Sequence, residues 1–163
     1  MRLAILSDTH LPKGRRALPP ACLKRLAAAD AILHAGDFTA ASVYEELRRI
    51  GPPLHAVHGN VDPLELRRRL PESIEIELDG VRVAMVHDSG AAAGRMRRMR
   101  ARFPDAGIVV FGHSHLPLLE TGSDGLVLLN PGSPTERRRA PRHTMAQVDI
   151  IGGAAACELV DLD

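Results

Sequence analysis

The apolar and polar residues of the chain follow two alternating periods, one typical of buried strands and one typical of amphipathic helices. Three short apolar runs in the front part predict strands at Arg2–Leu6, Ala31–Leu33 and Leu54–Val57. The last third instead predicts antiparallel strands joined at Asp124-Gly125 and at Gly152-Gly153, two dipeptides that favour tight turns.

Helical patterns separate the front strands. Pro19-Pro20 opens a helix whose apolar face is predicted to carry Leu23, Leu26 and Ala27. Ser42 is the expected N-cap of a second helix, and a short arginine-rich helix is expected after the third strand. Strand and helix therefore alternate as in a βαβαβ unit.

The pattern changes in the middle of the chain. Alternating strands are predicted at Ile74–Leu78 and Val81–Val86, joined by the tight turn Asp79-Gly80. A helix from about Ala92 to Phe103 and a buried strand at Ile108–Phe111 follow. Together these elements predict one α/β domain over residues 1–163, with parallel strands in front and hairpins behind.

Composition narrows the function classes. The 163 residues carry 21 Lys and Arg against 20 Asp and Glu, so the net charge of +1 gives no general attraction to nucleic acid or anionic membrane. Aromatic residues make up only 2%, which disfavours a base-stacking surface. No apolar run is long enough for a membrane span or a signal peptide, and Cys22 and Cys157 lack disulfide or metal spacing. We therefore expect a cytoplasmic protein with free thiols and no membrane partner.

The eight histidines are the unusual feature of this composition. Half of them, together with carboxylates and one amide, directly follow predicted strands. These residues are Asp8, His10, Asp37, Asn60, His87, His113 and His115. Because ligands of α/β sheets bind at the carboxyl ends of the strands, we expect the seven side chains to meet at one edge of one sheet. Gly36, Gly59 and Gly112 each precede one of them, where a close backbone approach is expected.

Such a set of side chains points to metal ions. Imidazole nitrogens, carboxylates and an amide oxygen suit borderline divalent ions better than Ca²⁺ or an all-thiolate zinc site. Seven ligands suggest two ions, and two ions about 3.5–4 Å apart can hold both the attacking and the leaving oxygen of an in-line phosphoryl displacement. Asp37 is the expected bridging ligand, and a hydroxide shared by the metals is the expected nucleophile.

The order of these motifs resembles the calcineurin-like metallophosphoesterase superfamily, in particular its small single-domain bacterial and archaeal phosphodiesterase branch. The matching motifs run from Asp8 to Ser133 and comprise Asp8-Thr9-His10, Gly36-Asp37, Gly59-Asn60-Val61-Asp62, His87, Gly112-His113-Ser114-His115 and Asn130-Pro131-Gly132-Ser133. The resemblance implies a four-layer αββα sandwich with two mixed β-sheets flanked by helices. It implies hydrolysis of phosphodiesters, with phosphomonoesters as further substrates.

The resemblance also implies the ligand sets. One metal is expected on Asp8, His10, Asp37 and His115, and the other on Asp37, Asn60, His87 and His113. The expected ions are two Mn²⁺, with Ni²⁺, Fe²⁺, Zn²⁺ or Mg²⁺ as alternatives. Asp37, Asn60, His87 and Asp62 are the expected catalytic residues, with Asn60 and His87 also contacting substrate.

Two positions depart from the family pattern. Val61 stands where many members carry a histidine that helps the leaving group depart, which predicts weak action on poor leaving groups unless another group supplies the proton. Asp88 follows His87 where glycine is frequent, and it is either an orienting partner of a ligand histidine or a solvated loop carboxylate.

Four histidines and the arginine clusters lie outside this ligand set. His34 is either an orienting residue or a satisfied buried histidine, His55 and His58 are expected to be structural, and His143 is expected to be exposed. The arginine clusters at residues 67–69 and 95–102 are expected on solvated helix faces. In the cluster at 137–139, Arg137 and Arg139 are the candidates for holding a substrate phosphate.

Three other function classes compete with the phosphodiesterase. A non-catalytic metal-binding scaffold on the same fold, as in the retromer, would have eroded ligands, whereas all seven are present. A nucleic-acid-binding protein is disfavoured by charge and aromatic content, which leaves nucleic acid as a substrate only. A dinucleotide-binding fold is excluded because no GxGxxG motif follows the first strand. A homo-oligomer remains open.

Overall fold

Ten strands and four short helices make up the computed structural model, which describes residues 1–163. The strands are β1 (Arg2–Leu6), β2 (Ala31–His34), β3 (Leu54–Ala56), β4 (Ser73–Leu78), β5 (Val81–Val86), β6 (Ile108–Val110), β7 (Leu118–Thr121), β8 (Val127–Asn130), β9 (Thr144–Ile151) and β10 (Ala154–Asp161). The helices are α1 (Pro20–Ala27), α2 (Ala41–Arg48), α3 (Leu64–Arg69) and α4 (Arg95–Arg102). None of these four helices could span a membrane.

The strands form two mixed five-stranded sheets. The first has the order β10-β9-β1-β2-β3, in which β1, β2 and β3 are parallel and β9 is antiparallel to both β1 and β10. The second has the order β4-β5-β6-β8-β7, with a parallel centre of β5, β6 and β8 and antiparallel strands at both edges. The front strands are parallel, as predicted, and each of the three predicted hairpins pairs.

Three apolar layers hold the sheets and helices together. Alternate residues of β1 point to opposite faces, so Leu3 and Ile5 pack between the sheets while Ala4 and Leu6 pack under the helices. The layer between the sheets is completed by residues of β5 and β6, including Met85. On the outer faces, α1, α2 and α3 cover the first sheet and α4 covers the second. The result is the four-layer α/β sandwich that the family resemblance implied.

Three local predictions about the helices were wrong. Leu26 is buried as predicted, but Leu23 is 43% exposed and Ala27 is exposed, and Cys22 completes the buried face of α1. Ser42 does not cap α2, because the helix already begins at Ala41. The fourth helix begins at Arg95 rather than near residue 92, after Gly94 takes a left-handed conformation with φ of +70°.

The expectation that all candidate ligands share one edge of one sheet was also wrong. Strands β1, β2 and β3 belong to the first sheet, whereas β5 and β6 belong to the second. The carboxyl ends of these five strands nevertheless lie at the same end of the sandwich, because residues that follow them hydrogen-bond across the two sheets. Across the two sheets, His113 N donates to the Asp8 carboxylate (2.9 Å) and His87 Nδ1 donates to Ala35 O (2.7 Å), while within the second sheet Gly112 N donates to His87 O (2.9 Å). The candidate site therefore lies where the two sheets meet.

Candidate metal centre

The backbone turns sharply at most of the candidate ligands. Asp8, His10, Asp37, His113 and His115 all have φ between +43° and +68°, in the left-handed region. This conformation is uncommon outside glycine and persists only where surrounding contacts hold it. The turns aim side chains from successive loop positions at one point beyond the strand ends.

One cluster joins Asp8, His10 and His115, all of which are buried. Asp8 Oδ1 lies 3.8 Å from His10 Nε2 and 3.4 Å from His115 Nε2. None of these three atoms has a hydrogen-bond partner within the chain, although each is shielded from solvent. Because an unpaired buried polar atom is costly, three of them facing one another indicate a missing common partner.

A second cluster joins Asp37, His87, Asn60 and His113. Asp37 Oδ2 lies 3.2 Å from His87 Nε2, and Asn60 Oδ1 lies 3.0 Å from both His87 Nε2 and His113 Nδ1. The four groups comprise one carboxylate, one amide oxygen and two imidazoles. The structure thus brings together all seven residues that the sequence analysis proposed as ligands.

Asp37 lies between the two clusters. Its Oδ2 atom is 3.6 Å from His10 Nε2 on one side and 3.2 Å from His87 Nε2 on the other. Its second oxygen accepts a hydrogen bond from Val61 N at 3.0 Å, which fixes the plane of the carboxylate. Asp37 therefore has the position that a bridging ligand would need.

The electrostatics of Asp37 and His87 favour a bound cation. Burial opposes ionisation of Asp37, but its contact with His87 holds the pKa of the carboxyl below its usual range. Burial likewise opposes the charged imidazole, but Asp37 and the charge of Asp8 raise the pKa of His87. The same negative charge would favour a divalent ion, which needs the deprotonated imidazole of His87 as its ligand.

The donor set fits divalent metal ions. Carboxylate, imidazole and amide oxygen ligands suit Mn²⁺, Fe²⁺, Ni²⁺ and Zn²⁺, and no thiolate lies among them. The unpaired atoms Asp8 Oδ1, His10 Nε2 and His115 Nε2 support a metal site independently of the ligand chemistry, because one ion would bind all three at once. Asp8, His10, Asp37 and His115 would hold one ion, and Asp37, Asn60, His87 and His113 would hold the other.

The glycines before the ligands allow the close approach that the sequence predicted. A Cβ on Gly59 would overlap the Asp37 carboxylate, and one on Gly112 would overlap the Ser7 hydroxyl. A Cβ on Gly36 would lie 2.7 Å from Gly59 N. The ligand loops are packed directly on one another.

Asp62 has a different role from the catalytic one predicted for it. Its Oδ2 accepts hydrogen bonds from Asp37 N (3.0 Å) and Gly59 N (2.7 Å), and its Oδ1 accepts one from Thr39 N (2.9 Å). The buried carboxylate is thus fully occupied by backbone amides. Asp62 holds the backbone of the loop that carries Asp37.

The arginines are arranged differently from the prediction. Arg137, a predicted phosphate ligand, donates to Ala140 O and Pro141 O in its own loop, each at 3.1 Å, and Arg139 is exposed with no hydrogen bond. Arg138 lies between them, and its charge does reach the site. Burial lowers the pKa of His115, and the charge of Arg138 adds a smaller effect in the same direction.

Arg67 is exposed on α3, as expected of a solvated helix face, and it also contacts the site. Its Nε donates to Asp62 O at 2.9 Å and its Nη2 donates to Asn60 O, which ties α3 to the loop after β3. Arg67 also lines a pocket of about 260 Å³ together with His58, Asn60 and His87. This pocket opens beside the second cluster.

Three further polar residues were singled out in the sequence, namely His34, His143 and Asp88. His34 is completely buried, with Nε2 paired to the Thr9 hydroxyl at 3.2 Å and Nδ1 accepting from Gly36 N at 3.2 Å, and burial lowers its pKa to about 3. His143 is half-buried against Asp163 rather than exposed. Asp88 is exposed and accepts from Gly90 N, so it does not orient His87.

Sequence reasoning missed two residues that hold ligand loops in place. The Nδ2 of Asn130 donates to Gly112 O at 2.9 Å and to the Ser114 hydroxyl at 3.1 Å. Glu136 O accepts a hydrogen bond from His115 Nδ1. The motif around Asn130 was recognised only as part of the resemblance, and a single glutamate before three arginines gave no local signal.

Comparisons with known proteins identify the family of the chain. The family model described as the calcineurin-like phosphoesterase superfamily domain matches residues 1–153. A probable metallophosphoesterase of Methanothermobacter thermautotrophicus is 33% identical over 153 residues, which cover 93% of this chain and 85% of that protein.

Solved structures are similar over the whole chain. Vps29 of Entamoeba histolytica, in a crystal structure complexed with Zn²⁺, has a TM-score of 0.77 at 22% identity, and 100% of each chain is covered. A structure described as a novel archaeal phosphodiesterase has a TM-score of 0.75 at 20% identity and covers 98% of this chain and 100% of its own. At these identities the likeness establishes the fold alone.

Proposed function

The chain belongs to the calcineurin-like phosphoesterase superfamily and is a metal-dependent phosphoesterase, and we propose that it is a dinuclear phosphodiesterase. The proposed ions are two Mn²⁺, with Ni²⁺, Fe²⁺, Zn²⁺ or Mg²⁺ as alternatives. The proposed substrates are small phosphodiesters in the cytoplasm, and nucleic acid would enter the reaction only as a substrate.

The position of Asp37 carries this proposal. One of its oxygens lies within 3.6 Å of a ligand nitrogen in each of the two clusters. A single metal site would not need two sets of donors that share one carboxylate. The two clusters contribute to a single centre, as an in-line displacement that uses both metals requires.

The metals would supply Lewis acidity and a water that ionises near neutral pH. The side chains supply positioning and charge complementarity. The Oδ1 of Asn60 contacts His87 and His113. Its Nδ2 has no partner in the chain and is free to donate to a phosphoryl oxygen. His87 is fixed by its Nδ1 bond to Ala35 O, so its ring would keep one orientation while negative charge develops on the phosphoryl oxygens.

Departure of the alcohol is the step for which the chain offers least help. Val61 follows Asn60 directly, and its side chain is 47% exposed beside the second cluster. An apolar side chain there cannot protonate the leaving oxygen. We therefore propose that activated diesters, whose alcohols leave without a proton, are cleaved much faster than alkyl diesters.

Hydrolysis of bis(p-nitrophenyl) phosphate by chelator-stripped protein reloaded with Mn²⁺ tests the proposal. Wild type is expected to turn over this diester and to bind two Mn²⁺ per chain by elemental analysis. Asp37→Asn and His115→Gln are expected to reduce hydrolysis to the uncatalysed background, because each removes a ligand from the centre. His143→Gln, which changes a histidine outside the centre, is the matched control and is expected to keep wild-type activity.

The same experiment separates the enzyme from the alternative, a metal-binding scaffold on this fold. A scaffold would bind metal without hydrolysing the diester under any loading. Full activity in Asp37→Asn would refute the proposed centre.

A further inference from the structure

One segment after β8 contacts three ligand residues of the first cluster. The Ser133 hydroxyl donates to Asp8 O at 2.7 Å, and His115 Nδ1 donates to Glu136 O. The Glu136 carboxylate faces His10, with Oε2 at 3.7 Å from His10 Nδ1. Asp8, His10 and His115 are thus all supported by residues 133–136.

The two carboxylate oxygens of Glu136 have separate partners. Oε1 accepts from Lys13 Nζ at 2.8 Å and lies 3.0 Å from Arg16 Nη1. Oε2 is therefore left facing the imidazole of His10. The side chain is only 15% exposed, so solvent screens its charge weakly.

Two of the other three metal-facing imidazoles, those of His87 and His115, already have such support from backbone oxygens. His87 Nδ1 donates to Ala35 O and His115 Nδ1 donates to Glu136 O, and in both rings this directs Nε2 to the cluster. A ligating histidine usually has a carboxylate or carbonyl at its outer nitrogen, which fixes the tautomer and raises the basicity of the ligating nitrogen. For His10, the group at that position is the carboxylate of Glu136.

We propose that Glu136 is the positioning residue of His10 in the metal centre. At 3.7 Å the contact is longer than a hydrogen bond, so the carboxylate acts through its charge. Its negative charge favours the proton on Nδ1 and leaves the lone pair of Nε2 for the ion that Asp8 and Asp37 would also bind. Lys13 and Arg16 hold the carboxylate in place from the outer side.

The inference rests on the proposed metal centre, and its test is metal affinity rather than activity. Titration calorimetry of the chelator-stripped full chain with MnCl₂ measures the dissociation constants. Glu136→Gln removes the charge at nearly constant shape and is expected to weaken binding at one site by about 10–100-fold. A change smaller than threefold would overturn the inference, and any larger loss supports it if the controls below hold.

Two control variants isolate the contact with His10. Glu45→Gln changes another glutamate that binds two arginines, Arg48 and Arg69, outside the centre, and it is expected to leave both affinities unchanged. Lys13→Met removes a partner of the outer oxygen but keeps the charge beside His10, and it is expected to change affinity less than threefold. If Lys13→Met weakened Mn²⁺ binding as much as Glu136→Gln, Glu136 would act only by anchoring the loop after β1.

A spectroscopic measurement follows His10 itself. In Co²⁺-loaded protein, the Nδ1–H protons of ligating histidines give shifted signals that vanish when they exchange with water. Glu136→Gln is expected to speed exchange of one such signal, that of His10, and to spare those of His87 and His115. Unchanged exchange of every signal would overturn the inference, whereas absence of metal binding by wild type would overturn the proposed function first.

Discussion

The backbone of Gly59 lies against the carboxylate of Asp37, so closely that a Cβ on Gly59 would fall 2.6 Å from Asp37 Cγ and overlap Oδ1. The same glycine donates its N–H to Asp62 Oδ2 at 2.7 Å. The peptide after β3 therefore forms one wall of the space that the Asp37 carboxylate occupies.

Gly59→Ala is expected to displace the Asp37 carboxylate and to lower diesterase activity by about a hundredfold, because misplacement by about 1 Å is costly in a preorganised site. Bound Mn²⁺ per chain after gel filtration is the second measurement and is expected to fall. Gly107→Ala is the matched control: like Gly59 it lies outside the left-handed region, but the nearest atoms to its Cβ are 3.7 Å away. Equal activity of the two variants would show that the contact does not matter.

Asp62→Asn is expected to lower the free energy of unfolding by about 1–3 kcal/mol, since an amide group cannot accept from Asp37 N, Gly59 N and Thr39 N together. Urea denaturation in the presence of chelator measures this loss without contribution from metal. Asp30→Asn is the control, because Asp30 accepts a single amide, Arg2 N, at an exposed position. A loss in the control as large as that of Asp62→Asn would argue against the loop-holding role.

The buried imidazole of His34 is expected to make the stability of the fold depend on pH. Burial lowers its pKa to about 3 in the folded chain, against 6.5 for an ordinary histidine. Between these two pH values, His34 binds a proton in the unfolded chain but not in the folded chain. His34 therefore has little effect on the free energy of unfolding above pH 6.5, and it lowers that free energy as the pH falls below 6.5. The slope from this residue is about 1.4 kcal/mol per pH unit.

Urea denaturation from pH 7 to pH 5 in chelator measures that slope. His34→Gln, which keeps hydrogen-bonding groups near Thr9 and Gly36, is expected to lose about 2 kcal/mol less than wild type over this range. The explanation fails if His34→Gln and wild type lose stability in parallel.

Val61→His is expected to raise kcat for alkyl phosphodiesters more than for p-nitrophenyl diesters, because only the poor leaving group needs a proton. General-acid assistance is worth about 10²–10⁴-fold, and a partial gain of about tenfold is expected from an unoptimised position. Leu64→His, at another exposed apolar residue nearby in sequence, is the control. Equal acceleration of both classes of ester would contradict the assignment of Val61.

Much of the fold was predictable because local signals and the final structure agree. The apolar runs of β1, β2, β5 and β6 were recognised from sequence, and so were the polar residues that follow them. The assignment of these strands to two sheets was not, because β9 reaches β1 from 140 residues away and no local pattern specifies that pairing.

The outer part of the site was harder to predict than the ligands. His10, His113 and His115 are conspicuous in sequence because they follow apolar strands. Glu136 and Arg67 act through contacts that depend on loop packing, and each sits in a charged stretch that would also suit a solvated surface. Their roles appear only when Glu136 is placed 3.7 Å from His10 and Arg67 is placed on the carbonyl of Asn60.

The division of the ligands between two sheets has a mechanical consequence. Asp8, His10, Asp37 and Asn60 extend from the first sheet, whereas His87, His113 and His115 extend from the second. Each ion would therefore cross-link the two sheets at the end where their strands stop, where apolar side chains no longer hold them together. Loss of metal would remove this cross-link and would loosen the sandwich from the catalytic end first.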